Sequence, residues 1–320
     1  MHRAYDVAII GGGPAGLSAA LILGRARRSV LVIDDRHQRN RPVRDSHGFL
    51  GHDGLAPAEL LRRARTQLDA YPSVAHAEDH VAGVEGAVDR FTLRLKDGDV
   101  ITARRILFAT GVYDDLPDVD GMRDLWGKRV FVCPYCDGWE FRDRRIAVLG
   151  NTRSALELAQ ELWTWSHDLI VCPTAEATAS AELLEWQRAA KIEVVPRPVK
   201  ICAHEDGIAI ALADGRKLEC AVAFVCAPLR QRSNLPAEIG CALDEGYTIR
   251  IDANGQTTVR GCYAAGDCTT SRHQIVFAAS SAVRAAIAIN DEFYQSDAQA
   301  LVHTAKVQNV AARRVAEEVP

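Results

Sequence analysis

The run Val7-Ala8-Ile9-Ile10-Gly11-Gly12-Gly13-Pro14-Ala15-Gly16-Leu17-Ser18-Ala19-Ala20-Leu21 constrains this chain more than any other segment. A short apolar run, a glycine turn and a small-residue stretch predict a buried strand, a tight turn and a helix. A second apolar strand, Ser29 to Ile33, ends at Asp34 and completes a βαβ start. Gly11, Gly13 and Gly16 let the backbone turn and approach a pyrophosphate at the helix N-terminus, where unpaired amides and a partial positive charge meet it. Pro14 and Ala15 belong to the same turn. Asp34, 18 residues beyond Gly16, is placed to accept hydrogen bonds from a ribose diol. A glycine-rich turn without a ligand is the plainer alternative; strand, helix and acid in their required places favour the dinucleotide.

Further along, Arg105-Ile106-Leu107-Phe108-Ala109-Thr110-Gly111 reads as a strand, and the proline- and aspartate-rich stretch Asp114 to Gly121 as a linker, which puts a boundary near residue 118. A second strand, turn and helix begin at Ile146-Ala147-Val148-Leu149-Gly150-Asn151-Thr152-Arg153-Ser154-Ala155, with Leu169-Ile170-Val171 expected to pair in parallel. The segment Gly261-Cys262-Tyr263-Ala264-Ala265-Gly266-Asp267 is another short strand, ahead of a helix predicted from about Gln274 to Asn290. The predicted fold is α/β with two Rossmann-like nucleotide-binding domains. Residues 119–246 form a central domain inserted into one made of 1–118 and 247–320. A chain of 320 residues suits about two domains.

Nine cysteines are scattered along the chain, and only Cys133 and Cys136 are close. In a reducing compartment such a pair is redox or metal chemistry rather than a staple. Zinc needs about four ligands, and no second Cys-x-x-Cys or nearby His pair supplies the rest, so no metal is expected. Cys133-Pro134-Tyr135-Cys136 brings two sulfurs within disulfide reach. Exchange requires a thiolate, favoured by a helix start or a basic neighbour, and Asp137 can supply or take the proton. Two buried cysteines beside a solvated aspartate are the plainer alternative.

The motif Gly11 to Gly16, the turn Ala109-Thr110-Gly111, Cys133-Pro134-Tyr135-Cys136-Asp137-Gly138 and Gly266-Asp267 stand in the order and spacing of low-molecular-weight thioredoxin reductases. The chain resembles that family over nearly its whole length. The resemblance implies a homodimer, an FAD domain made of both chain ends and a central domain carrying the cysteine pair. It implies FAD contacts at Gly11, Gly13, Pro14, Ala15, Gly16, Asp34, Thr110, Gly111 and Gly266, with Asp267 at the ribityl and phosphate region. Gln274 starts a helix aimed at the flavin's pyrimidine edge, where a helix N-terminus stabilises negative charge on reduced flavin. By the same likeness Cys136 is the sulfur nearest the flavin, Cys133 faces the partner, and Asp137 is the acid or base.

Two departures redirect the functional expectation. In the second fingerprint, Thr152 stands where a second glycine would admit a pyrophosphate, and Cys172-Pro173-Thr174-Ala175-Glu176-Ala177 offers no Arg or Lys to a 2′-phosphate. Binding of NADP(H) is therefore not expected to follow the family pattern. The form Cys-Pro-Tyr-Cys-x-Gly-Trp-Glu, from Cys133 to Glu140, resembles the dithiol oxidases of natural-product pathways, as does Asp45-Ser46-His47-Gly48-Phe49-Leu50. His47 is either near the flavin or simply hydrogen-bonded in its loop. Cys262 and Cys268 are expected as small core residues. The segment Ala298 to Pro320 extends past the family's usual last helix, to pack on a partner subunit, to cover a substrate cleft or to form a mobile tail.

These readings converge on an FAD-dependent dithiol oxidase acting on a small-molecule dithiol, with oxygen or NAD(P)+ receiving the electrons. The alternatives are a thioredoxin reductase, fed by NADPH or another donor and acting on a thioredoxin-like protein, and a flavin-binding redox sensor. A net charge of −4 gives no basic footprint for nucleic acid. No run approaches the roughly 18 apolar residues of a membrane helix, and the start lacks a secretory core, so the expected setting is cytoplasmic.

Overall fold

A computed structural model of the chain describes residues 3–244 and 247–317. It divides into two compact units. One comprises Met1–Arg36, Ala64–Thr110 and Ser233–Pro320, the other His37–Arg63 and Gly111–Arg232. The chain thus passes between units after Arg36, Arg63, Thr110 and Arg232; the sequence pattern put boundaries near 118 and 247 and none around residues 37–63. The reason is local pairing. Val112–Asp114, at the edge of the expected linker, is a strand joined antiparallel to Leu229–Gln231.

In the first unit the parallel strands run Val74–Ala77, Val30–Ile33, Arg3–Ile10 and Val100–Phe108, with Cys262–Ala264 beside the end of Val100–Phe108. The start of Val100–Phe108 instead pairs antiparallel with Arg90–Leu95, which continues to Val81–Ala87. Side chains alternate across a sheet. Ala8, Ile10, Leu31, Ile33, Ile106 and Phe108 share one core with Phe91 and Leu93, so the buried Val7, Ile9, Val30 and Val32 face the other side. Cys262 and Cys268 are fully buried in that first core, as small apolar residues are. Helices Pro14–Arg25 and Ile275–Glu317 pack on one another, tied by Arg28 Nε to Asn290 Oδ1 at 2.8 Å. The last helix begins one residue after Gln274 and runs far past the expected Asn290. Of the segment 298–320, residues 318–320 lie outside the described ones, and the rest continues this helix with Leu301 and Val302 exposed.

In the second unit a parallel sheet runs Glu193–Val194, Leu169–Ala175, Ile146–Asn151, Val222–Val225 and Val130–Phe131. Ile146 and Val148 face helix Thr152–Leu162 through Ala155, Leu156 and Ala159. Ala147 and Leu149 face the opposite core, filled by Ile201, Ile208, Ile210 and Leu212 of a three-stranded antiparallel sheet. Both units are therefore strand–turn–helix folds with a parallel sheet, the α/β class with two Rossmann-like halves read from the sequence. Among the described residues no helix is long and apolar enough to cross a membrane.

One polar cluster holds the last helix to the first sheet. Arg105, 5% exposed, donates to Glu292 Oε2 at 2.7 Å and to Asp89 Oδ1 at 2.8 Å. Glu292 Oε1 accepts from the Tyr263 hydroxyl at 2.7 Å and from Gln256 at 3.0 Å. Arg28, Arg104 and Arg105 lie 4.9, 4.4 and 5.0 Å from the centre of the fully buried Phe293 ring. Removing one partner of a buried ion pair weakens the compensation of the other charge, and Arg105 would keep Asp89 alone while Tyr263 and Gln256 lose their acceptor. Glu292→Ala is expected to cost about 3 kcal/mol. The effect is read as a lower urea midpoint at unchanged slope, with Glu292→Gln losing less.

Candidate active site

The first glycine turn is built by close backbone approach. Gly11 has φ +111°, and a Cβ there would overlap the Ala109 carbonyl oxygen. A Cβ on Gly16 would overlap the carbonyl oxygen of Gly11. Helix Pro14–Arg25 starts from Gly13 with no side-chain cap, and a Cβ built on Gly13 meets nothing within 4 Å. No side chain of the protein caps this helix start, the arrangement that leaves first-turn amides for a phosphate. Gly266 belongs to the same place: a Cβ on it would lie 2.9 Å from Ala15 Cβ and 3.8 Å from Ala278 Cβ. The fingerprint, the Gly266-Asp267 turn and the first turn of the last helix, just past Gln274, therefore converge within one unit.

Asp34 is buried at the end of Val30–Ile33. Its carboxylate accepts from Arg65 Nη2 at 2.8 Å and from the Arg36 amide at 3.1 Å. A small pocket around it is also lined by His76 and Glu78. Burial first, then the Arg65 guanidinium, pushes the His76 imidazole below its usual range. Thr110, next to Gly111, has a buried hydroxyl oxygen with no hydrogen-bond partner. These features fit FAD: an uncapped helix start beside a glycine opening for the pyrophosphate, an acid for the ribose, and a buried hydroxyl in need of a partner.

The second turn is different. Asn151 caps helix Thr152–Leu162, its side chain accepting from the Ser154 amide at 2.9 Å. The Ser154 hydroxyl returns to Asn151 O at 3.2 Å, and Thr152 Oγ1 donates to Ala175 O at 3.3 Å. Arg153 is exposed and paired along its own helix with Glu157 at 2.8 Å. An amide group that a phosphate would use is already taken by the protein. The strand end carries Glu176 and no basic residue. These residues do not fit the 2′-phosphate of NADP(H).

The cysteine pair lies in the second unit. Cys133 and Cys136 form a disulfide with Cα atoms 5.2 Å apart, both half-buried. Cys133 stands at the N-cap of the short helix Pro134–Asp137, with Pro134 at its first position. The amides of Cys136 and Asp137 both donate to Cys133 O at 3.1 Å. Gly138 N donates to Pro134 O at 2.7 Å, and a Cβ on Gly138 would press on Pro134 O and on the Trp165 ring. Trp165 in turn meets Tyr135 edge to face, with ring centres 5.2 Å apart. Burial and the nearby Glu140 carboxylate push the Asp137 carboxyl up to about 7, while His47 pulls it down.

Sequence reasoning missed Arg65 at Asp34 and Glu140 at Asp137. Glu140 stands within the motif Gly138-Trp139-Glu140 and could have been weighed; Arg65 carries no signal, since it lies on a helix with no fixed spacing to Asp34. His47 is indeed hydrogen-bonded in its loop, to Asp53 at 3.4 Å.

Residues 5–286 match the model of the pyridine nucleotide-disulphide oxidoreductase family. A probable thioredoxin reductase of Arthroderma benhamiae is 30% identical, over 93% of this chain and 82% of its own length. The thioredoxin reductase tcpT of Claviceps purpurea is 33% identical, over 82% of this chain and 86% of its own. The solved structure of HlmI superposes with a TM-score of 0.90 at 32% identity, covering 96% of this chain and 99% of HlmI.

The lone Thr110 hydroxyl yields a prediction. Thr110→Val keeps the shape and removes the unpaired group, so the apoprotein should be no less stable. Affinity for FAD should fall by about 1 kcal/mol, roughly fivefold in Kd, as one hydrogen bond is lost. Flavin fluorescence titration of the apoprotein checks it.

Proposed function

The chain belongs to the pyridine nucleotide-disulphide oxidoreductase family, and on that premise we propose that this FAD-dependent disulfide oxidoreductase is a dithiol oxidase. It closes a disulfide in a small-molecule dithiol through Cys133 and Cys136. The observation that carries this reading is the contrast between the two glycine turns: open at Gly13, capped by Asn151 in the second unit. A reductase driven by NADPH needs the second turn as much as the first. An oxidase that takes its electrons from a dithiol does not. The motif from Cys133 to Glu140 supports the same substrate class.

FAD, when bound, would supply a two-electron acceptor for the reduced cysteine pair, with oxygen as the final acceptor. The protein's own part is thiol exchange. One substrate thiol gives its proton to the Asp137 carboxylate and attacks Cys133 Sγ. The Cys133–Cys136 bond breaks and Cys136 leaves as a thiolate. The second substrate thiol then attacks the substrate sulfur held on Cys133, its proton passing to the Cys133 sulfur that leaves, and the substrate disulfide forms. The electron pair ends on the two cysteines. A carboxyl that titrates near 7 can take and return a proton at neutral pH. The same reading includes a homodimer in a reducing, cytoplasmic setting.

A second reading is a thioredoxin reductase, as the relatives above are named. Tyr135 and Trp139, 70% and 64% exposed beside the pair, offer a face that a thioredoxin-like protein could cover. Anaerobic flavin absorbance separates the two. Bleaching by small dithiols and not by NADPH is expected; rapid bleaching by NADPH followed by thioredoxin reduction would replace the first reading with the second. A flavin-binding sensor would show no turnover for Cys133→Ser to abolish.

Asp137 adds a pH signature. Because its carboxylate accepts the substrate proton, the rate of pair reduction should rise through about pH 7 as Asp137 ionises. Asp137→Asn should lower that rate by about a hundredfold and erase the step, leaving only the rise due to the substrate thiol. A pH–rate profile measured in stopped flow checks both.

A further inference from the structure

The loop 46–55 of the second unit is closed on itself. Ser46 N and Oγ both donate to Leu55 O, at 3.0 and 2.6 Å, and Gly54 N returns to Ser46 O at 2.9 Å. Within it Asp53 Oδ1 accepts from Gly48 N at 2.8 Å, and Asp53 Oδ2 meets His47 Nδ1 at 3.4 Å. The Gly48 amide first, then His47, holds the Asp53 carboxyl below the usual range. The other ring nitrogen, His47 Nε2, lies 3.5 Å from Glu140 Oε1, three residues past Asp137. Each ring nitrogen of His47 thus faces a carboxylate.

We propose that His47 is a positioning residue for thiol exchange at Cys133 and Cys136: clamped between Asp53 and Glu140, it sets with Glu140 the charge state of the Asp137 carboxyl. The proposal rests on the dithiol exchange assigned above and extends it to a loop distant in sequence. Glu140, on Trp139–Phe141, and His47, on the loop, are the charged groups that act on Asp137. Arg142 is turned aside, stacked 4.1 Å from the Trp139 ring and donating to Trp139 O at 2.9 Å. The two groups oppose each other. Glu140 holds the proton on Asp137, and a charged His47 draws it off. The 3.5 Å contact between them ties the two influences together, so a shift of the loop alters both.

The test uses the full-length, FAD-loaded protein and dithiothreitol as the probe, without oxygen. Acid quench and alkylation count free Cys133 and Cys136 thiols over time and pH. An infrared difference spectrum, assigned with Asp137→Asn, follows the Asp137 carboxyl itself and does not depend on exchange. Glu140→Gln is expected to lower the Asp137 midpoint, and His47→Gln to raise it, each by about one pH unit, the size of effect a neighbouring charge exerts. The step in the exchange profile should move with the carboxyl. Midpoints unmoved in both variants, or moved in the same direction, would overturn the proposal. If His47→Gln does not fold, His47→Asn takes its place. Should dithiothreitol leave the wild-type pair oxidised, the dithiol reading falls, whereas the infrared titration still decides the role of His47.

Discussion

The rest of the first unit depends on a contact with no room in it, the seating of the Gly16 α-carbon on the carbonyl oxygen of Gly11. That contact brings the helix Pro14–Arg25, with its uncapped start, down onto the end of the strand Arg3–Ile10. The Ala15 and Gly266 contact follows from it, because a helix entering at this angle leaves room only for a glycine opposite Ala15. In the second unit the equivalent helix is held by its own Asn151 cap, an interaction worth about 1 kcal/mol that serves the fold and not a phosphate. The same topology thus yields one turn open to a ligand and one closed by the chain.

At the cysteine pair the governing effect is desolvation. The half-buried Asp137 ends a short, tightly turned segment held by Pro134, Gly138 and Trp165. Burial disfavours the ionised form, and Glu140 adds to it. A surface aspartate would be ionised at every physiological pH and could accept a proton but hardly keep one. Moving its midpoint close to neutral lets one group do both.

Much of this was legible along the chain. Runs of consecutive apolar residues such as Val30–Ile33 announce strands covered on both faces, and the four are buried as such runs require. Asp34 lies at the strand end its spacing implied. Thr152 stood out as the wrong residue for a phosphate turn, and the capped helix shows the physical form of that difference. What could not be read was pairing across long separations. Arg65 meets Asp34, and His47 meets Glu140, through folds that bring remote segments together without any periodic signal. Val112–Asp114 hid in a stretch rich in proline and aspartate because its partner, Leu229–Gln231, lies far downstream. The helix end at Asn290 was underestimated since no glycine or proline follows to stop it.

The strand Cys262–Ala264 has an implication for how the chain comes into being. It completes the first sheet by pairing with Val100–Phe108, which is made much earlier. Every strand of the second unit, by contrast, has left the ribosome once Gln231 has. A chain made from its N-terminus can therefore assemble the module bearing the cysteine pair while the flavin module is still unfinished. The segments around the thiols are thus all made before the strand that completes the other sheet, an order that lets the cysteine pair find its fold while that sheet still lacks Cys262–Ala264.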